Sequence, residues 1–125
     1  MQTTHDSGKR LLLSILSHAS IFISVSLFAV GIPIAIAVLS EDPVVKANAK
    51  EAINFHFNVW FWGAIIGGIY GILSFLTFGL LGLVLFPLIA LGFLLHWGLT
   101  IWAIAHCLGD INQPFRYPFI FRLIG

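Results

Sequence analysis

Charged residues are scarce in this sequence. They make up 9% of the 125 residues, whereas hydrophobic residues make up 59%. A soluble domain carries about 25% charged residues, and the mean hydropathy of this chain is +1.02. Because so few charges cannot build a water-facing shell, the composition excludes an ordinary soluble domain and predicts a protein embedded in lipid.

Cysteine and basic clusters are also lacking. Cys107 is the single cysteine, which excludes an internal disulfide and a cysteine-based metal site. The six lysine and arginine residues are spread in pairs along the chain, and the formal net charge is +1. Without a basic patch, nucleic acid is not expected as a partner.

The patterns that carry enzyme chemistry are missing as well. The sequence shows no nucleophile beside a base, no phosphate-binding loop and no pair of intramembrane carboxylates. It therefore predicts a protein without enzymatic activity.

What the sequence does contain is long apolar stretches, which predict an all-α membrane protein. Each stretch has about 24–26 residues, and about 20 suffice to cross the hydrocarbon of a bilayer. The predicted transmembrane helices cover about residues 14–39, 53–76 and 83–108. The predicted regions are a polar N-terminal segment, 1–13, a three-helix transmembrane domain, 14–108, and an interfacial aromatic and basic tail, 109–125.

Two local signals divide these stretches. Asp42 and Pro43 have the residue types of an N-cap and a first helical position, so we expect a helix to begin there and run into the second span. Thr77, Phe78 and Gly79 are the predicted turn between the second and third spans.

Small residues repeat along two of the predicted spans. On the second span they lie at i, i+4 and i+8, where another helix backbone can approach closely: Gly63, Gly67 and Gly71. On the first span they lie on nearly one face: Ser17, Ser20 and Ser24. We interpret both rows as packing of these two spans against each other; the alternative is an interface with a second copy or another protein.

Polar side chains form a stripe where the second span begins: Glu51, Asn54 and Asn58. Polar groups near lipid need partners. We expect them to bind the C-terminal tail, and the alternatives are an interface with another protein or a polar path for a substrate or protons.

Four histidines fall in the predicted spans and are candidate ligands of a pigment or haem: His18, His56, His96 and His106. His96 and His106 are ten residues apart in one helix, or about 15 Å, so they cannot share a metal ion. No metal site and no cofactor are predicted, and hydrogen-bonded structural histidines are favoured. Chlorophyll or haem is the alternative.

Two stretches carry a resemblance to a known family. One is KANAKEAINF, residues 46–55, and the other is RYPFIFR, residues 116–122. With the three-span layout they resemble bacterial membrane proteins, most of all cyanobacterial ones, that are similar to the twenty-kilodalton subunit of the chloroplast inner-envelope import translocon. Magnetosome membrane proteins of the MamF and MmsF type belong to the same broad group.

The resemblance implies a non-enzymatic accessory or scaffold subunit that assists protein translocation or assembly of membrane complexes. Its motif and partner-contact positions here are Lys50, Glu51, Asn54, Asn58, Arg116, Tyr117 and Arg122. The expected partners are the lipid bilayer and other integral membrane proteins or a homo-oligomer. Alternative functions are a small tetrapyrrole-binding subunit of a photosynthetic membrane complex and an oligomeric channel or carrier.

Basic residues predict the orientation. Three spans place the N-terminus on one side of the membrane and both the 41–50 loop and the C-terminus on the other. Because that other side carries more lysine and arginine, we expect the loop and the C-terminus in the cytoplasm of a bacterial plasma or thylakoid membrane.

Overall fold

The computed structural model describes residues 4–24 and 26–125, and these residues form helices, turns and an extended tail without any strand. Within them lie the helices α1 (Thr4–Ala19), α2 (Gly31–Leu39), α3 (Pro43–Leu76) and α4 (Leu80–Gly109). Two 3-10 turns, Ser20–Ile23 and Leu27–Val30, stand between α1 and α2. The predicted all-α class is confirmed. The predicted polar N-terminal segment is helical from Thr4 onward, and its residues 1–3 lie outside the described part of the chain.

Among the described helices, α3 and α4 are the two that are long and apolar enough to cross a membrane. α3 begins where the sequence predicts, because the Asp42 carboxylate accepts the N–H groups of Val44 and Val45, at 2.9 and 3.4 Å. Pro43 occupies the first turn, where its missing N–H costs nothing. The helix then continues without a break for 34 residues, and it contains the predicted second span.

A tight turn joins α3 to α4 at the predicted place. Thr77 ends α3, and its hydroxyl accepts the N–H of Leu81 at 3.0 Å. Phe78 and Gly79 both have positive φ, 53° and 91°. Glycine adopts such a backbone without steric cost, which accounts for Gly79 at this position.

The two long helices approach each other closely just beyond this turn. A Cβ at Gly82 would lie 2.5 Å from Ser74 Oγ, so any larger residue there would require Ser74 to move. Tyr70 donates from its hydroxyl to the Gly82 carbonyl at 2.9 Å. This crossing holds α3 and α4 as an antiparallel pair.

The predicted first span, 14–39, is not confirmed as a crossing. It is divided into the end of α1, the two 3-10 turns and the short α2, while Val25 lies outside the described residues. α1 and α2 run antiparallel, since Arg10 near the start of α1 pairs with Asp42 just after α2, at 2.7 Å. We call residues 10–42 the N-terminal hairpin. Its two ends lie at the same level, so this stretch returns to the side on which it began.

Burial divides the molecule into two halves along α3. None of residues 61–76 is buried, whereas most of residues 45–58 are. The buried half is covered by the N-terminal hairpin, by the end of α4 and by the tail. The other half of α3 and the first part of α4 therefore extend as an apolar pair away from a compact base.

Candidate functional site: a buried polar layer in the base

A stripe of polar side chains on α3 lies at the centre of the base. Its members recur every three or four residues, so they share one face of the helix, and all are buried: Asn48, Glu51, Asn54 and Asn58. Together with His18, His56 and Tyr117 we call them the polar layer. The chain around them is apolar, so each of these groups needs a hydrogen-bond partner within the protein.

Asn54 and Asn58 bind peptide groups of the tail. Asn54 Oδ1 accepts the N–H groups of Leu123 and Ile124, at 2.9 and 3.0 Å, and Asn54 Nδ2 donates to the Ile124 carbonyl at 2.8 Å. Asn58 pairs with Phe121 in the same way. Its Nδ2 donates to the Phe121 carbonyl at 2.7 Å, and its Oδ1 accepts the Phe121 N–H at 3.2 Å. A side-chain amide has the donor and acceptor of a peptide group, so these residues replace the partner strand that the extended tail lacks.

Glu51 binds the middle of the tail with its charge. Its carboxylate accepts the N–H of Tyr117 at 2.7 Å and pairs with the guanidinium of Arg122, whose Nε lies 3.0 Å away. Arg122 also donates to the Tyr117 carbonyl at 2.9 Å. The hydrogen bonds that Arg122 donates to the Glu51 carboxylate raise the pKa of Arg122. The carboxylate and the arginine thereby close a loop of the tail over α3.

His18 joins α1 to the same layer. Its Nε2 lies 2.8 Å from Asn48 Oδ1, which also accepts the Phe115 N–H at 3.0 Å. Because an amide oxygen has no hydrogen to give, Nε2 carries the proton of the neutral imidazole. Nδ1 then accepts from the Tyr117 hydroxyl at 2.8 Å. Burial raises the pKa of Tyr117 well above its ordinary value, which keeps this hydroxyl a donor.

His56 fastens the top of the N-terminal hairpin to α3. Its Nε2 and Nδ1 each lie 2.9 Å from a serine hydroxyl, those of Ser20 and Ser24. Trp60 adds a bond one turn higher, from Nε1 to the Ser24 carbonyl at 2.7 Å. The predicted serine row is thus buried, and Ser20 and Ser24 bind a histidine of α3, while Ser17 bonds to the Leu13 carbonyl of its own helix at 2.9 Å.

The candidate pigment ligands are all engaged with the protein. Both ring nitrogens of His18 and of His56 have protein partners. Nε2 of His96 lies 3.0 Å from the Ile21 carbonyl, and Nε2 of His106 lies 3.0 Å from the Gln113 carbonyl. In the described part of the chain, no three histidine, cysteine or acidic residues are grouped to hold a metal ion.

The remaining predicted positions lie outside the polar layer. Lys50 donates to the Gly125 carbonyl at 3.1 Å, and Arg116 is exposed. The glycine row does not face the N-terminal hairpin, because a Cβ at Gly63, Gly67 or Gly71 would meet no atom within 4 Å. The packing between spans that we expected at these glycines is therefore absent from the described residues, and the groove lies open.

Sequence reasoning missed Asn48 and the Arg10–Asp42 pair. Asn48 precedes Glu51 by three residues, so the stripe spacing was sufficient to find it. The pair joins residues 32 positions apart, and no local pattern indicates it.

Replacing Asn54 with alanine removes three bonds to the tail. At about 1 kcal/mol net per hydrogen bond, opening of the tail should become about 2–3 kcal/mol easier, or roughly 30- to 150-fold more frequent. Trypsin cleavage after Arg122 in detergent measures this opening. Asn112→Ala is the matched control, because exposed Asn112 accepts one bond, from Arg10. Equal cleavage rates in the two variants would contradict the role of Asn54.

Acid should destabilise the base through His18. Burial lowers the pKa of His18 from an ordinary 6.5 to about 4. Between these values the unfolded chain takes up a proton that the folded chain does not, so stability falls as the pH decreases, by about 3 kcal/mol at most. Thermal unfolding in detergent at pH 7.5 and 4.5 measures the loss. His18→Gln should show a smaller loss than His106→Gln, and equal losses would exclude His18 as the source.

Comparison with known proteins identifies the family. A family model described as the magnetosome magnetite crystal formation protein family, MamF_MmsF, matches residues 9–124. No curated protein and no solved structure matches the chain. The similarity to the chloroplast translocon, a cyanobacterial origin and a thylakoid location are not supported by any match. The matched region contains the N-terminal hairpin, both long helices and the tail fastened by the polar layer, so this chain belongs to the MamF/MmsF family of magnetosome membrane proteins.

Proposed function

We propose that this protein is a non-enzymatic accessory or scaffold subunit of a bacterial membrane, which offers its α3–α4 pair to the helices of partner proteins. Membership of a magnetosome crystal formation family supports a role in building a membrane-bound structure. Beyond that, the proposal rests on how the chain distributes its polar and apolar groups.

The open glycine row is the observation that carries the proposal. Gly63, Gly67 and Gly71 line one face of α3, and space for a side chain is free at each of them. A row of small residues allows another helix backbone to approach closely in lipid. Since the N-terminal hairpin does not fill this groove, a helix from another protein or from a second copy can occupy it in place of lipid.

The contacts that the polar layer makes favour a scaffold function over a carrier function. A polar path through the protein would need Glu51, Asn54 and Asn58 to bind a passing solute. In this chain their oxygen and amide groups hold the tail and Arg122. These groups therefore act in holding the fold together.

We further propose a topology with two crossings, by α3 and α4. The N-terminal hairpin begins and ends on one side, so both termini lie there and only the Thr77–Gly79 turn lies on the other. All six basic residues then fall on the side of the termini: Lys9, Arg10, Lys46, Lys50, Arg116 and Arg122. The excess of positive charge favours the cytoplasm for this side. The N-terminus, which the three-span interpretation put outside, thereby moves to the cytoplasmic side.

Replacing Gly67 with leucine tests the groove. Because a side chain there meets nothing within the protein, the variant should fold normally and lose its co-purifying partner. Native mass spectrometry after mild detergent extraction measures partner content, and thermal unfolding checks the fold. Gly98→Leu is the matched control, since Gly98 is an equally open glycine on α4. Full partner content in Gly67→Leu would exclude the groove, and a wild-type protein purified alone as a monomer would exclude the scaffold function.

Cysteine labelling in intact cells distinguishes two crossings from three. Single cysteines at Lys9 and Glu41 should react from the same side of the membrane, and one at Phe78 from the opposite side. Cys107 is buried and contributes little background. The reagent is a membrane-impermeant maleimide, applied before and after permeabilisation. Labelling of Lys9→Cys and Glu41→Cys from opposite sides would establish a complete first crossing and contradict the hairpin.

A further inference from the structure

The molecule has an unequal cross-section at its two ends. The top of the N-terminal hairpin lies beside the middle of the long helices, where Ser24 contacts His56 and Trp60 of α3. At the same level the Ile21 carbonyl of the hairpin lies 3.0 Å from Nε2 of His96 on α4. Beyond that level α3 and α4 continue as a pair. Four helices therefore stand side by side in the base, and two in the far half.

The depth of the hairpin corresponds to one leaflet. From Arg10 to Ser24 the chain rises by 14 residues, first in α1 at about 1.5 Å per residue and then in the 3-10 turn at about 2.0 Å, or about 23 Å in all. A bilayer with its headgroups is about 40–45 Å thick, so this depth is about half of it. α3, at about 51 Å, extends through the whole thickness when it is tilted.

The side chains of the hairpin change from charged to apolar along this depth. Lys9, Arg10, Glu41 and Asp42 surround a cavity of about 440 Å³ at its open end. The opposite end exposes Leu27 and Phe28, to 71% and 91%. The hydroxyls of Ser20 and Ser24 at this end are turned inward to His56. Such a gradient matches headgroups at the open end and acyl chains at the tip.

We propose that the N-terminal hairpin is a wedge that inserts into the acyl chains of one leaflet and favours membranes in which that leaflet is convex. The proposal rests on the two-crossing membrane protein proposed above. Two extra helices, each about 10 Å wide, add on the order of 200 Å² to one leaflet only. A leaflet that holds more area than its partner relaxes by bending outward. The partner is thus a lipid surface of one curvature, and the side that becomes convex is the one with the basic residues.

Sorting between flat and curved membrane tests the wedge. Labelled protein is reconstituted into giant vesicles of phosphatidylcholine and phosphatidylglycerol, and a narrow tether is pulled from each vesicle. Molecules with the hairpin in the outer leaflet are selected by quenching every outward-facing dye at Phe78→Cys with an external quencher. These molecules should be enriched in the tether over the vesicle body, because insertion of an apolar face into one leaflet is sensitive to curvature. Molecules of the opposite orientation should be depleted.

The tip variant isolates the hairpin as the cause. Leu27→Asn with Phe28→Asn changes exposed side chains, so the fold should persist while the enrichment disappears. Leu76→Asn with Leu80→Asn is the matched control, because both leucines are exposed beside the far turn and the dye at Phe78→Cys stays in place. If the tip variant is enriched in the tether as strongly as the wild type, the wedge is overturned.

Failure of the wedge and failure of the membrane topology give different results. An environment-sensitive dye at Phe28→Cys reports whether the tip reaches the acyl chains. A buried dye with no curvature sorting overturns the wedge and leaves the two-crossing subunit intact. A dye in water overturns the one-leaflet insertion itself. Release of the protein from vesicles by alkaline carbonate would overturn the membrane-spanning proposal.

Discussion

A peptide group that leaves water must keep a hydrogen-bond partner, and in this protein one face of α3 accepts five N–H groups of the tail, those of Phe115, Tyr117, Phe121, Leu123 and Ile124. The extended tail has no neighbouring strand, so these groups would otherwise lack a partner within the protein. Asn54 and Asn58 bind these groups with their side-chain amides, and Glu51 binds them with its carboxylate. The position of the tail, the burial of His18 and the closure of the base all depend on this stripe.

The stripe also explains why the two halves of the long helices differ. Up to Asn58 the polar face of α3 is covered, because tail and hairpin pack on it. Beyond Trp60 the helix is apolar on nearly every side, and apart from its crossing with α4 little of the described chain covers it. A helix that is apolar on every side is stable in lipid or against other apolar helices. The base thus holds the tail and the hairpin on α3, and the far half presents the apolar surface that contacts lipid or other helices.

The N-terminal hairpin shows how polar contacts override hydropathy. Residues 14–39 are apolar enough to resemble a span, yet Ser20 and Ser24 bond to His56 and stop the chain halfway along α3. The Arg10–Asp42 pair then fixes both ends at one level. The family match covers this hairpin as well as the two long helices.

The sequence by itself determined the all-α class, the start of α3 at Asp42 and Pro43, and the turn at Thr77–Gly79, because caps, turns and apolar runs are local signals. Its spacing also indicated that the stripe of Glu51, Asn54 and Asn58 would bind the tail. Only the tertiary structure decided that the first apolar run folds back and that the glycine row stays open. Both outcomes depend on pairs far apart in the chain, Arg10 with Asp42 and Ser24 with His56, whose energies no window of neighbouring residues contains.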